Sequence, residues 1–313
     1  MKETAIIASL LLLTSFVSPQ HPPKTPASVI YHSQDGGKSW KPFDNGIPQD
    51  ATASAFLVLA DRVLATTDYH GIYSIKEGES KWKRIDEDLP EKVDINAITS
   101  LGNSLIIGTL RHGVMFSDTN GKSWSSPASQ TKISAVRGLH AIGNTLLAGA
   151  DEGIYRSMDR GKTWNHVFKG VQVNGFTQKN DILYAALMNG AAMSVDKGVT
   201  WKYVYQPRTL HDISTDGERI YAMTLGGGLK KSNNNGQTWE DANNGMGTVN
   251  LYTFEVKRFN NKLFAAQWYG IYQSEDWGTS WSLIKNGLPD STAFTTLEAT
   301  RSGLISGIGL RKK

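Results

Sequence analysis

Side chains able to do chemistry recur at one kind of place in this sequence. Short polar segments follow apolar runs that end in small residues and precede runs that begin with glycine. The clearest are Asp68-Tyr69-His70, Arg111-His112, Asp151-Glu152, Met188-Asn189, Gly226-Gly227, Trp268-Tyr269 and Leu310-Arg311. The next apolar runs add Asn96, Arg137, His140, Asn174, His211, Asp212 and Tyr252 near their starts. Four of the seven histidines fall in this set: His70, His112, His140 and His211.

Several chemistries fit these residue types. A glycoside hydrolase needs two carboxylates roughly 5–10 Å apart, and Asp68 with Asp151 or Glu152 is the available pairing. A uronate lyase needs a base such as His70 or Tyr69 beside an arginine that neutralises the substrate carboxylate. Glycan binding would stack a sugar on Trp268 and Tyr269 and hold a carboxylate or sulfate with Arg111 or Arg137. Protein docking would draw on Arg111, Arg137, Arg311, Trp268 and Tyr269, with His112, His140 and His211 beside them. Loops are also polar simply because they are wet, which competes with every one of these readings. No two histidines share a short ligand spacing, so no metal site is expected. Gly226-Gly227-Gly228 is followed by neither Lys-Ser/Thr nor a helix, so no phosphate loop and no cofactor are expected.

The elements that position these residues are set by a repeat. Ser, any, Asp, any, Gly, any, Ser or Thr, Trp occurs as Ser33–Trp40, Ser157–Trp164, Ser194–Trp201 and Ser274–Trp281. Three copies are degenerate. Thr119 replaces the Asp in Ser117–Trp124, Asn234 replaces it in Ser232–Trp239, and Lys76 replaces it in Ser74–Trp82, which also has one extra residue. The closing residues are Trp40, Trp82, Trp124, Trp164, Trp201, Trp239 and Trp281. A period of roughly forty residues with four short strands per unit means propeller blades. Within the box the Asp is expected to accept backbone N–H groups of its own turn, the Gly to take a positive φ, and the Trp to pack between sheets. One carboxylate per loop is too few for calcium.

With strands lettered A to D from centre to rim, each box is a C–D turn and each polar segment a B–C turn. The N-terminal part supplies a C strand, Val29-Ile30-Tyr31, and a D strand. The C-terminal part supplies an A strand near Ala293 to Ala299 and a B strand from Gly303 to Ile308. Joined, they complete a seventh blade and leave no open sheet edge. The expected fold is therefore all-β, a seven-bladed β-propeller of four-stranded antiparallel blades. Such a closed ring is expected to be monomeric.

Residues 1–20 read as a signal peptide, with Lys2 before an apolar core from Ala5 to Phe16 that is too short for a membrane span. Residues 21–27 read as a proline-rich linker and 28–313 as one propeller domain. An exported chain, periplasmic or extracellular, follows. There is no Cys, which excludes a lipidated anchor, thiolate metal sites and a Cys nucleophile. The formal charge of +4 is no nucleic-acid footprint. Lys230-Lys231 and Arg311-Lys312-Lys313 read as solvated ends.

The boxes resemble those of the BNR/Asp-box superfamily, whose fold is that of sialidases. A further motif supports this, Asn45-Gly46-Ile47-Pro48, Asn244-Gly245-Met246 and Asn286-Gly287-Leu288-Pro289. One propeller of this size behind an export signal looks most like the photosystem II stability/assembly factor family. That resemblance implies a non-enzymatic partner-binding protein. Sialidases also carry a Phe/Tyr-Arg-Ile-Pro segment, and Lys83-Arg84-Ile85-Asp86 lacks its Pro. The sequence thus points to a protein partner bound by the B–C loop face, with a carbohydrate-active protein, hydrolase, lyase or glycan binder, as the alternative.

Overall fold

The computed structural model describes residues 28–126, 132–206, 208–247, 251–290 and 292–309. The expected leader and linker, Leu310 and Arg311 lie outside the described residues. Within them the chain forms seven antiparallel sheets and no helix. Blade 1 is Ala53–Val58, Arg62–Thr67, Gly71–Lys76 and Lys83–Arg84. Blade 2 is Ile95–Leu101, Ser104–Thr109 and Gly113–Ser117, with a single Phe116–Ser125 bridge in place of a fourth strand. Blade 3 is Gly138–Ile142, Thr145–Ala150, Gly153–Ser157 and Asn165–Lys169. Blade 4 is Val173–Lys179, Ile182–Leu187, Gly190–Ser194 and Lys202–Tyr205. Blade 5 is Leu210–Thr215, Ile220–Thr224, Gly228–Ser232 and Glu240–Asp241. Blade 6 is Thr253–Phe259, Lys262–Gln267, Gly270–Ser274 and Ser282–Leu283.

Blade 7 closes the ring as expected. Phe294–Ala299 and Leu304–Ile308 form its inner half, and Ile30–Ser33 and Lys41–Pro42 its outer half. Ile30 pairs with Gly307 and Ser33 with Leu304, so the ends of the domain are joined by a full strand pairing.

The core is divided among the seams. Seven apolar clusters form, each from two neighbouring blades; at the 2/3 seam, for example, Ile106 and Val136 pack with Leu146 and Trp164. A blade therefore has no core of its own and is stable only between neighbours. Trp40, Trp82, Trp124, Trp164 and Trp281 are buried, whereas Trp201 and Trp239 are half-buried.

The box behaves as a hydrogen-bonded knot. In Ser157–Trp164, Asp159 Oδ1 accepts from Ser157 Oγ and the Thr163 N–H at 2.8 Å each, and Oδ2 accepts from Thr163 Oγ1 at 2.5 Å. Ser157 Oγ accepts from the Gly161 N–H at 2.8 Å. Two of the three degenerate copies keep the pattern with weaker groups. Asn234 Oδ1 accepts from the Thr238 N–H at 2.9 Å, and Thr119 Oγ1 from the Ser123 N–H at 2.8 Å. The left-handed backbone extends beyond the glycine. Asn120, Arg160, Lys197, Asn235 and Trp277, each just before the box glycine, also have φ near +60° (57–65°). The tight turn imposes this, and the box hydrogen bonds offset its cost.

The Asn-Gly motif ties one blade to the next. Asn45 and Asn244 accept from the Trp82 and Trp281 N–H groups at 2.8 Å, and Asn286 from Trp40 at 3.1 Å. A Cβ at Gly46 or Gly245 would lie 2.3 or 2.2 Å from the carbonyl oxygen of that same Trp, so only glycine allows the approach. Lys230 and Lys231 are not loose ends. They lie in strand C of blade 5, where Lys231 is buried and meets Glu240 at 3.2 Å.

Candidate functional site

Antiparallel order puts the B–C turns and D–A connections on one face of the ring and the A–B turns and boxes on the other. The A strands line the central channel. Six of them begin with a register shift, as between Ile95/Ala97, Val173/Gly175, Leu210/Asp212 and Thr253/Glu255. Such a bulge re-aims one side chain at the mouth of the channel. In blades 2 and 4 that residue is an asparagine serving the ring itself. Asn96 Nδ2 donates to Val136 O at 3.1 Å and Asn174 Nδ2 to Leu210 O at 2.6 Å, each crossing to the next blade.

Blades 5 and 6 carry His211 and Phe254 at the same point, and there the mouth becomes aromatic. The Tyr252 hydroxyl lies 2.9 Å from His211 Nδ1. Phe254 stacks on Trp268 with centroids 5.7 Å apart and packs against Tyr252 at 4.5 Å. Burial holds the His211 imidazole down to about 4 and pushes the Tyr252 hydroxyl up to about 12. His211 is thus neutral at pH 7, and the group is an uncharged aromatic wall.

Just below this wall the channel is charged. Lys257 Nζ meets Glu298 Oε2 at 2.8 Å, and Glu255 accepts from the Leu297 N–H of blade 7. Asp212 sits against Gly175 of blade 4. Three carboxylates share one ammonium. Burial, reinforced by the neighbouring carboxylates, raises Glu255 to about 8 and Asp212 to about 6. Burial opposes the charge of Lys257, but Glu255, Glu298 and Asp212 together hold its pKa above the ordinary lysine value. Among the described residues no group of three or more His, Asp or Glu is arranged to hold a metal ion.

The candidate catalytic residues are engaged separately. Asp68 accepts from Thr52 Oγ1 at 2.8 Å and Ser54 Oγ at 3.3 Å, which fixes its own loop. His70 Nε2 lies 3.4 Å from Asp50. Asp151 accepts from Arg137 Nε at 2.6 Å. Glu152 accepts from the Tyr155 hydroxyl at 2.9 Å; burial, then Glu152, pushes that hydroxyl up to about 12. Tyr69 is 54% exposed, with φ of 63°. A hydrogen bond to Asp94, then its charge, raises the Tyr69 pKa.

The binding candidates divide into two groups. Arg111 meets Asp94 at 3.3 Å and, with Tyr69, forms a cluster joining blades 1 and 2. His112 is exposed and its backbone N–H caps Thr109. His140 lies deeper than the loops, facing Gln178 at 3.1 Å, and burial lowers its pKa. Trp268 and Tyr269 are half-buried beside the aromatic wall. Arg311 lies outside the described residues.

Sequence reasoning missed Phe254, Glu255, Lys257 and Glu298. They sit in A strands that read as ordinary alternating strands, and the bulge shifts which side chains reach the channel. An acidic residue in an otherwise apolar strand start, as at Glu255, was the one available signal.

Comparison with known proteins places the fold. The family model described as the DUF6242 beta propeller domain matches residues 43–172. No curated protein sequence matches the chain. An extracellular domain from B. thetaiotaomicron superposes with a TM-score of 0.70 at 14% identity, over 85% of this chain and 38% of that one. The chain thus spans well under half the length of that structure. YCF48 bound to D1 peptide superposes with a TM-score of 0.65 at 16% identity, over 83% of this chain and 94% of that one. The GH74 enzyme of Niastella koreensis gives 0.57 at 17% identity, over 82% of this chain and 43% of that one. What these likenesses share with the chain is the β-propeller fold.

Proposed function

We propose that this chain is an exported, non-enzymatic propeller that binds a protein partner as a peptide segment across its B–C/D–A face. One observation carries the reading. On that face Arg111 and Arg137 are paired with Asp94 and Asp151, beside an exposed Tyr69 and a half-buried Trp268. Ion-paired arginines beside rigid aromatic rings are hot-spot chemistry. YCF48, a propeller of similar fold, binds a peptide in the structure cited above, which fits this reading. The signal-like residues 1–20 and the likeness to an extracellular domain support export.

A displayed random-peptide library selected on residues 21–313 tests it. Enriched peptides should bind Tyr69→Ala/Arg111→Glu at least tenfold more weakly, with melting unchanged within a few degrees. Equal binding to this variant would remove the face from the reading.

A second reading rests on Glu255 and Asp212. Two carboxylic acids held at different, raised pKa values are the arrangement a general acid and base require. Turnover of neutral, sialylated or uronate-containing glycans that disappears in Glu255→Gln would favour an enzyme over the docking protein.

A further inference from the structure

The opposite face carries a groove that the reading above does not use. The repeat itself shows what is unusual there. In six boxes the glycine closes down on a side chain of the preceding blade. Gly37 meets Phe264, Gly161 meets Phe116, Gly198 meets Leu147, and Gly278 meets Tyr221. Gly121 and Gly236 likewise meet Ile85 and Val204. The box of blade 1 has Lys76 for Asp and an extra residue, and a Cβ at its Gly78 would meet nothing within 4 Å. This box stands off from blade 7.

The gap is a groove of about 560 Å³ along the seam between blades 7 and 1. Its size falls in the range of ligand sites, roughly 300–1,000 Å³. Val58, Val63, Ile75, Leu304 and Ile305 line it, together with Phe43. His32 stacks on Phe43 at 4.1 Å with rings 5° from parallel. Burial, then Lys41, lowers the His32 pKa, so the pair is a neutral aromatic wall.

An arginine lines the same groove on its blade 7 side. Arg301 comes from the A–B turn of blade 7, whereas Arg62, the first residue of strand B in blade 1, touches the groove but donates from Nη2 to Asn120 Oδ1 of the blade 2 box.

The chain itself shows what fits such a slot. At the seam between blades 5 and 6 the corresponding space holds Trp277, the residue before the box glycine. Arg219 and Arg258 lie over its ring at 5.0 and 5.1 Å. Blade 1 has Glu77 before its box glycine, and among the described residues no ring takes the place of Trp277.

We infer that the seam between blades 7 and 1 binds an aromatic side chain, foremost tryptophan, presented by a partner peptide. Apolar walls take the ring, and Arg301 supplies cation–π contact.

Methyl NMR on residues 21–313 with Ac-Gly-Trp-Gly-NH2 tests this. The peptide should shift the methyl signals of Val58, Ile75, Leu304 and Ile305 with one site per chain. The leucine analogue should bind at least tenfold more weakly. Val58→Trp should fill the groove and abolish the shifts. Trp277→Gly, which suits the left-handed backbone there, should open a second site at the seam between blades 5 and 6. Equal binding of both peptides, or shifts confined to residues away from this seam, would overturn the proposal, and the map in the unaltered chain decides even where a variant fails to fold. Shifts confined to the channel mouth would overturn the seam site while leaving the loop-face reading standing.

Discussion

Carboxylates in two regions of this molecule are driven in opposite directions. In the boxes Asp159, Asp196 and Asp276 sit near solvent and are held at about 2. For Asp159 the Thr163 hydroxyl and N–H are the main cause. For Asp196 and Asp276 slight burial opposes the shift, and the hydroxyl and N–H hydrogen bonds outweigh it. In the channel Asp212 and Glu255 are pushed up by burial instead. The box acids fold the chain, since each closes a turn. The channel acids cost stability and face the mouth of the proposed binding face. A destabilised polar group near a concave mouth is where function is sought.

The largest effect expected from breaking this contrast lies in neither acid but in the rings that hold the boxes to the seams. Trp82 is 1% exposed and its indole N–H donates to Phe43 O at 2.6 Å. Trp82→Ala should cost about 3–5 kcal/mol in denaturant unfolding. A cost under about 1 kcal/mol would mean that the ring is not seam packing.

Next come the channel acids. The folded value of Glu255, about 8, lies above its ordinary 4.5. Its contribution is therefore fully present below about pH 4.5 and is lost as pH rises through 8. Asp212, Lys257 and Glu298 surround it. Glu255→Gln keeps an acceptor for Leu297 and should raise the melting temperature at pH 8 more than at pH 5. A gain independent of pH would contradict the buried-acid account.

The box acids give the smaller, opposite slope. Their contribution is present above 3.8 and lost as pH falls through about 2. Asp159→Ala should cost about 1 kcal/mol. Asp159→Asn should cost less and flatten the acid limb, because Asn234 already serves in blade 5. Equal costs for both substitutions would show that the acceptor oxygen is not what the box uses.

The fold was legible because the box is a local device. Ser, Asp, Gly and Trp at fixed spacing specify one turn, and seven turns at one period specify a ring. The composite blade followed from which strands were missing at each end. Tertiary offsets were not legible. The bulge that brings His211 and Phe254 to the mouth leaves no mark in hydrophobic alternation. Nor could spacing show that Arg111 and Arg137 would be paired with Asp94 and Asp151. Residues on different blades meet only once the ring has closed.

The most direct test of the central claim is hydrogen–deuterium exchange with a library-selected peptide bound to residues 21–313. Protection is expected at 68–70, 110–112 and 268–269 on the loop face. Protection confined to the box turns, with the loop face unchanged, would contradict the assignment of that face to partner binding.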